Sequence, residues 1–136
     1  MKLPHGLLSP LAGLLLFGLL IPTAQAQQSL SLRQSCPLLT NIALPDTTLS
    51  SAEVVEANGF TPPRTNNTMG TPAFCRIVGV TLPAVNFEVW LPLDNWNGKY
   101  NGVGNGGMAG VISYAAMGGA LNRGYATAST DTGHNA

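Results

Sequence analysis

Nine of the sixteen glycines in this 136-residue chain fall between positions 98 and 124. Glycine serves where a backbone must turn with positive φ, or must let something approach with no Cβ in the way, and it weakens regular structure elsewhere. The segment that holds them therefore reads as short elements hung on a glycine loop. KYNGV (99–103) is a short strand and GNGGMAG (104–110) is the loop. VISYAAMGGALNRG (111–124) has helical spacing, with Ile112, Ala115, Ala116 and Leu121 as the buried face. Gly118 and Gly119 weaken that helix, and Gly124 is its stop. YATAST (125–130) is a strand of small residues. A strand–helix–strand of this length is a parallel crossover, which is right-handed in nearly all proteins.

Upstream, the period changes to two. FCRIVGVTL (74–82) alternates apolar and other residues, as a half-buried strand does. After Pro83, NFEVWLPL (86–93) alternates again, with Phe87, Val89 and Leu91 on one face and Glu88 and Trp90 on the other. DNWNG (94–98) is a turn. The two runs predict an antiparallel pair at the edge of a larger sheet. Residues 27–50 show no periodicity, SAEVVEA (51–57) reads as a short strand, and NGFTPPRTNNTMGTP (58–72) is a loop by composition. Asn66-Asn67-Thr68 in that loop is a glycosylation sequon, which matters only in a source that glycosylates. The whole of 27–73 is thus expected to be extended and loop-rich, with 74–136 carrying the regular elements.

The segment 1–26 stands apart. Lys2, the nearly uncharged apolar run Leu7–Ile21 and the small-x-small AQA at 24–26 make a secretory signal peptide, cleaved after Ala26 to leave Gln27 at the N-terminus. An uncleaved membrane anchor is the alternative; Pro4, Pro10, Pro22 and the short apolar core count against it, because a spanning helix needs about 20 apolar residues. The expected location is secreted or periplasmic. What remains, 27–136, suffices for one small domain. It carries five basic and six acidic side chains, with no basic patch to neutralise phosphates, so no nucleic-acid partner is expected. No stable membrane anchor remains after cleavage. Cys36 and Cys75 both lie in the exported part, where thiols oxidise. Paired with each other, they would close a loop with a sequence separation of 39, worth about 3–4 kcal/mol in the chain-entropy treatment. The alternatives are pairing outside this chain and free thiols.

The glycine loop admits three readings. Gly102, Gly104 and Gly107 fit G-x-G-x-x-G, and Asp131 follows near the end of the next strand, as in a dinucleotide site. The polar NGKYN before it is unlike a central buried strand, and export removes the chain from the cytosolic dinucleotide pool. Alternatively, GNGG (104–107) occupies the place where ester hydrolases present a backbone N–H to a developing oxyanion. The third reading is a structural turn with no ligand.

Read together, FEVWLPLDNWNGKY, VGNGGMAG and GYATASTDTGH resemble the N-terminal part of the tannase and feruloyl esterase family, and the resemblance runs from about Cys36 to the last residue. It implies an α/β fold, the front of an α/β-hydrolase with an incomplete sheet: antiparallel edge strands followed by a β-α-β unit. It implies an esterase acting on esters of aromatic acids, in which a serine attacks the carbonyl, a histidine moves the proton and an aspartate orients the histidine. It implies an early disulfide, which fits Cys36 with Cys75, and a calcium ion in a lid domain that lies outside this chain. Gly106 and Gly107 become the candidates for the oxyanion N–H. No cofactor is expected in the chain itself.

The same resemblance answers a question posed by the last residues. Ser129, Asp131 and His134 are the three residue types of a hydrolytic triad within six positions. The family nucleophile sits in a G-x-S-x-G elbow, which these residues lack, and the elbow, lid, acid and base are expected downstream. Asp131 and His134 are expected instead to fix their loop, or to line the pocket of the complete protein. On this reading the isolated chain does not turn over esters, and its open sheet edge makes it poorly soluble. A non-catalytic secreted module, stable as 27–136 alone, is the remaining alternative.

Overall fold

The computed structural model describes residues 24–107 and 110–134. Its elements are α1 (Ala24–Ser35), a 3-10 turn (Cys36–Asn41), β1 (Thr47–Val55), β2 (Phe74–Thr81), β3 (Val85–Pro92), β4 (Tyr100–Val103), α2 (Tyr114–Leu121) and β5 (Ala126–Thr130). The five strands form one sheet in the order β1-β2-β3-β5-β4. β1, β2, β3 and β5 pair antiparallel in succession, and β4 joins β5 in parallel. The β4-α2-β5 crossover and the β2–β3 hairpin form as their periodicities predict. The class is α/β with a mixed, open sheet.

Both faces of the sheet are covered, by different means. On one face Cys36, Ala73, Cys75, Ile77 and Leu93 are buried together, with Leu49, Ala52 and Val54 of β1 against them. The Cys36–Cys75 disulfide ties the 3-10 turn to β2 with its Cα atoms 5.7 Å apart, so the cysteines pair with each other. On the other face Phe60, Phe74, Trp90, Met117 and Leu121 form the core, bringing the 58–72 loop and α2 onto the strands. The Phe60 ring stands edge-on to Trp90 at a centroid distance of 4.8 Å, an arrangement aromatic quadrupoles favour.

Three expectations need correction. The β2–β3 pair is not the sheet edge, because the nine-residue β1 lies outside β2. β1 escapes a period-two reading because its register shifts between Leu49 and Ser51. An extra residue in one strand moves later side chains to the opposite parity, so Leu49 joins Ala52 and Val54 on the same core. The expected loop-rich stretch from 27 to 73 also holds most of α1, whose Arg33 pairs with Glu56 and Asp94. Of the segment 1–26 expected to be a signal peptide, residues 1–23 lie outside the described residues, and Ala24–Ala26 begin α1.

The third correction concerns α2. It starts at Tyr114, and it buries Met117, Gly118, Ala120 and Leu121; Ala115 and Ala116 are exposed and Ile112 lies before the helix. Alanine and glycine recur on every side of this helix, so the spacing of apolar residues does not select a face. Packing does. At Gly118 a Cβ would collide with the Met69 methyl and also reach Thr71, so this side of the helix can lie close on the 58–72 loop. Gly124 stops the helix as expected: at φ +79° its N–H donates to the Leu121 carbonyl at 2.8 Å.

Candidate active site

In α/β sheets, sites collect at the carboxyl ends of parallel strands. Here those are the ends of β4 and β5, where Val103 pairs with Ser129. The glycine loop leaves β4 at this point, and the Asp131–His134 turn leaves β5.

The glycine loop is pinned to β5 at both ends. Near its start, the Asn105 side-chain amide donates to the Thr130 carbonyl, and its oxygen accepts from Ser113 Oγ at 3.4 Å. At its finish, the Ser113 N–H donates to Ser129 Oγ at 3.1 Å. Gly104, just before the first pin, and Gly106 and Gly107, between the two, are exposed, and a Cβ on any of them would meet nothing within 4 Å. Gly107 needs to be glycine for its backbone, at φ +60°. Gly104 and Gly106 have neither positive φ nor a neighbour to avoid, so nothing among the described residues demands glycine there.

Behind the loop lies a buried polar hub. Glu88 is 4% exposed, yet accepts four hydrogen bonds. Arg76 grips both carboxylate oxygens at 2.9 and 2.6 Å, Trp90 Nε1 donates at 2.9 Å and Tyr114 Oη at 3.0 Å. Glu53 takes a further Arg76 donor at 3.1 Å, and the guanidinium lies 5.1 Å from the centre of the Phe60 ring. A buried charge is tolerable when paired and fully hydrogen-bonded, as this one is. The bond to Glu88 is the main reason the Arg76 guanidinium holds its proton more tightly than usual. Burial, and then the Glu88 charge, push the Tyr114 hydroxyl up to about 12, so it remains a donor. Tyr114 is the first residue of α2, so the hub fixes the helix end to which the glycine loop runs.

Ser129, Asp131 and His134 do not form a relay. Ser129 is 2% exposed, and its Oγ caps the Ser113 N–H. Asp131 accepts from the Asn86 N–H at 2.9 Å, the Asn86 side-chain amide at 2.5 Å and the Gly133 N–H at 2.9 Å. Burial opposes its charge, but these hydrogen bonds prevail and hold the carboxyl below its usual range. The exposed His134 turns Nδ1 back on Thr132. Asp131 thus fastens the end of β5 to the start of β3, and Thr132 beside it stands at φ +57°, a region β-branched residues avoid.

The dinucleotide reading meets three obstacles. Gly102 lies inside β4 rather than in the turn. The loop from Gly104 runs on to Tyr114 before α2 begins, so no tight turn brings a pyrophosphate onto a helix end. The Asp131 carboxylate, needed for a ribose, is engaged by Asn86 and Gly133.

Sequence reasoning missed Asn105, Ser113 and the Glu88 hub. The only signal for the hub was Glu88 sharing a strand face with Trp90. The pins join residues 16 and 25 positions apart, and no local pattern encodes them. A groove of about 590 Å³, lined by Leu32, Leu91, Leu93, Asp94, Trp96 and Ala126 among others, opens near the start of β5, at the opposite end of that strand. Among the described residues no group of three or more His, Cys, Asp or Glu is placed to hold a metal ion.

The chain is similar to known proteins. The tannase and feruloyl esterase family model matches residues 67–136, just over half of the chain. An uncharacterised esterase of Xanthomonas campestris pv. campestris is 45% identical over 136 residues, covering 97% of this chain and 23% of that protein. A probable feruloyl esterase B-1 of Aspergillus oryzae is 41% identical over 66 residues, covering 46% of the chain and 12% of that protein. The crystal structure of feruloyl esterase B from Aspergillus oryzae superposes with a TM-score of 0.66 at 28% identity, covering 76% of this chain and 22% of that one. A second esterase structure from that organism gives 0.69 at 25% identity, with 76% and 23% covered. The chain spans less than a quarter of the length of these relatives. With its glycine loop and both flanking motifs inside the matched region, the chain belongs to the tannase and feruloyl esterase family.

Proposed function

We propose that this chain is the front of a secreted or periplasmic α/β-hydrolase that cleaves esters of aromatic acids, and that the 104–107 loop supplies one half of its oxyanion hole. The observation that carries the reading is the loop itself. It stands at the carboxyl ends of the parallel β4–β5 pair, is fastened at both ends to β5, and presents Gly106 and Gly107 to open space. An N–H from Gly106 or Gly107 can then meet a carbonyl oxygen as it becomes an oxyanion, with no Cβ to block the approach. Such a donor is typically worth a few kcal/mol in the transition state.

The rest of the reaction belongs to residues outside this chain. A serine in a G-x-S-x-G elbow attacks the ester carbonyl, and a histidine held by an aspartate takes the serine proton. The same histidine returns it to the leaving alcohol; water then repeats the sequence to release the acid. The free edge of β4, with Tyr100 64% exposed, is where the sheet continues and brings the elbow beside the glycine loop. Asp131 and His134 border the pocket from the β5 side. The disulfide is consistent with an oxidising compartment. Calcium belongs to the lid and enters no step here.

The test is hydrolysis of methyl ferulate and methyl gallate. The whole protein releases the acid, and the purified 136-residue chain does not exceed buffer. Turnover by the short chain, or none by the whole protein against any ester of an aromatic acid, would refute the reading.

A further inference from the structure

The geometry points to Asn105 as the positioning residue of the glycine loop; this rests on the oxyanion reading and adds to it what holds the donor in place. Exposed glycines flank Asn105 on both sides, while Asn105 itself is half-buried with both ends of its amide engaged. Its NH₂ reaches the carbonyl of Thr130, the last residue of β5, and its oxygen takes the Ser113 hydroxyl. One side chain therefore joins the start of the loop, the end of the loop and the strand beneath. Ser113 completes the brace by donating its own N–H to Ser129.

The physical need for such a brace follows from the glycines. Gly104, Gly106 and Gly107 have no side chains to pack, and a Cβ on them would touch nothing, so packing does not set where their N–H groups point. A preorganised donor is effective because it requires no reorganisation during the reaction. Asn105 supplies that order from the position immediately before Gly106. It requires an amide: the contact to Thr130 needs a donor and the contact to Ser113 an acceptor. Aspartate provides only the acceptor, and adds a negative charge beside the developing oxyanion.

The experiment compares Asn105→Ala, Asn105→Asp and Ser113→Ala with the wild-type whole protein. Three readouts are taken on each: kcat and KM for methyl ferulate, affinity for an arylboronic acid that forms a tetrahedral adduct, and thermal midpoint. The expected result is a fall in kcat on the order of 10²-fold for Asn105→Ala, with KM little changed and boronate affinity falling in parallel. Asn105→Asp falls further, Ser113→Ala falls less, and all three melt close to wild type. If Asn105→Ala does not fold, a smaller but parallel loss of kcat and boronate affinity in Ser113→Ala decides the matter. An active wild type whose variants keep kcat and boronate affinity, or lose only stability, overturns the role of Asn105. A wild type with no esterase activity overturns the functional reading and this inference with it.

Discussion

The two ends of the sheet contrast in how their residues are held. On the β1–β2–β3 side, a disulfide, a five-residue apolar cluster and the four-donor Glu88 hub fix every strand to its neighbours. On the β4 side, a four-residue parallel strand leads into exposed glycines on which a Cβ would meet nothing, held by a few hydrogen bonds from Asn105 and Ser113. The first side stores rigidity, and the second uses it. Loops that meet a substrate must leave space for it, so their geometry comes from the scaffold behind them. Here the link between the two is Tyr114, which bonds the hub and begins the helix at the far end of the loop.

This contrast can be broken from the rigid side. Replacing Glu88→Gln leaves Arg76 without its paired carboxylate in a site where Glu88 is 4% exposed. Removing one partner of a buried pair costs about 3–5 kcal/mol, so chemical denaturation of the whole protein should show a loss of about 3 kcal/mol, Glu53 retaining part of the Arg76 interaction. A loss under about 1 kcal/mol would mean that the hub is not the anchor. The double variant Cys36→Ser, Cys75→Ser opens the 39-residue loop and should cost about 3–4 kcal/mol in the same assay. Because the disulfide lies on the face away from α2 and the glycine loop, kcat of the folded fraction should hold.

From the open side the effects on stability are smaller and those on activity larger. Gly106→Ala meets no atom and no positive φ, so stability should stay within about 0.5 kcal/mol, while kcat drops. Gly107→Ala adds a strained backbone at φ +60°, worth about 1–2 kcal/mol. Equal loss of stability in both would contradict the description of the loop. The smallest effect is pH-dependent. The folded Asp131 carboxyl lies below its ordinary value of 3.8. Its contribution is therefore complete above that value and is lost as pH falls through the lower folded one. Asp131→Asn should narrow the stability gap to wild type over this acidic window, in denaturation curves taken at successive pH values. A gap that is constant across pH would remove the charge from the explanation.

Much of the fold was legible because packing left its period in the sequence. FCRIVGVTL and NFEVWLPL alternate, and their hairpin forms in register from Phe74–Pro92 to Thr81–Val85. β1 was obscured by its register shift, and the buried face of α2 by the alanines and glycines that surround it. At the candidate site, the glycines were visible as composition. The side chains that hold them were not, since Asn105 to Thr130 and Ser113 to Ser129 are contacts between distant positions. Asp131 illustrates the opposite hazard. Its place near Ser129 and His134 suggests chemistry, the missing elbow points instead to a role in fixing the loop, and the partner it fastens to, Asn86, lies 45 positions away where no local pattern names it.

The measurement that tests the central claim most directly is a crystal structure of the whole protein with an arylboronic or phosphonate adduct on the serine that the proposed mechanism requires. The account predicts the tetrahedral oxygen at about 2.7–3.1 Å from the backbone nitrogen of Gly106 or Gly107, with Asn105 still bound to Thr130. An adduct whose oxygen is held by other segments, with neither glycine N–H in hydrogen-bond reach, would contradict it.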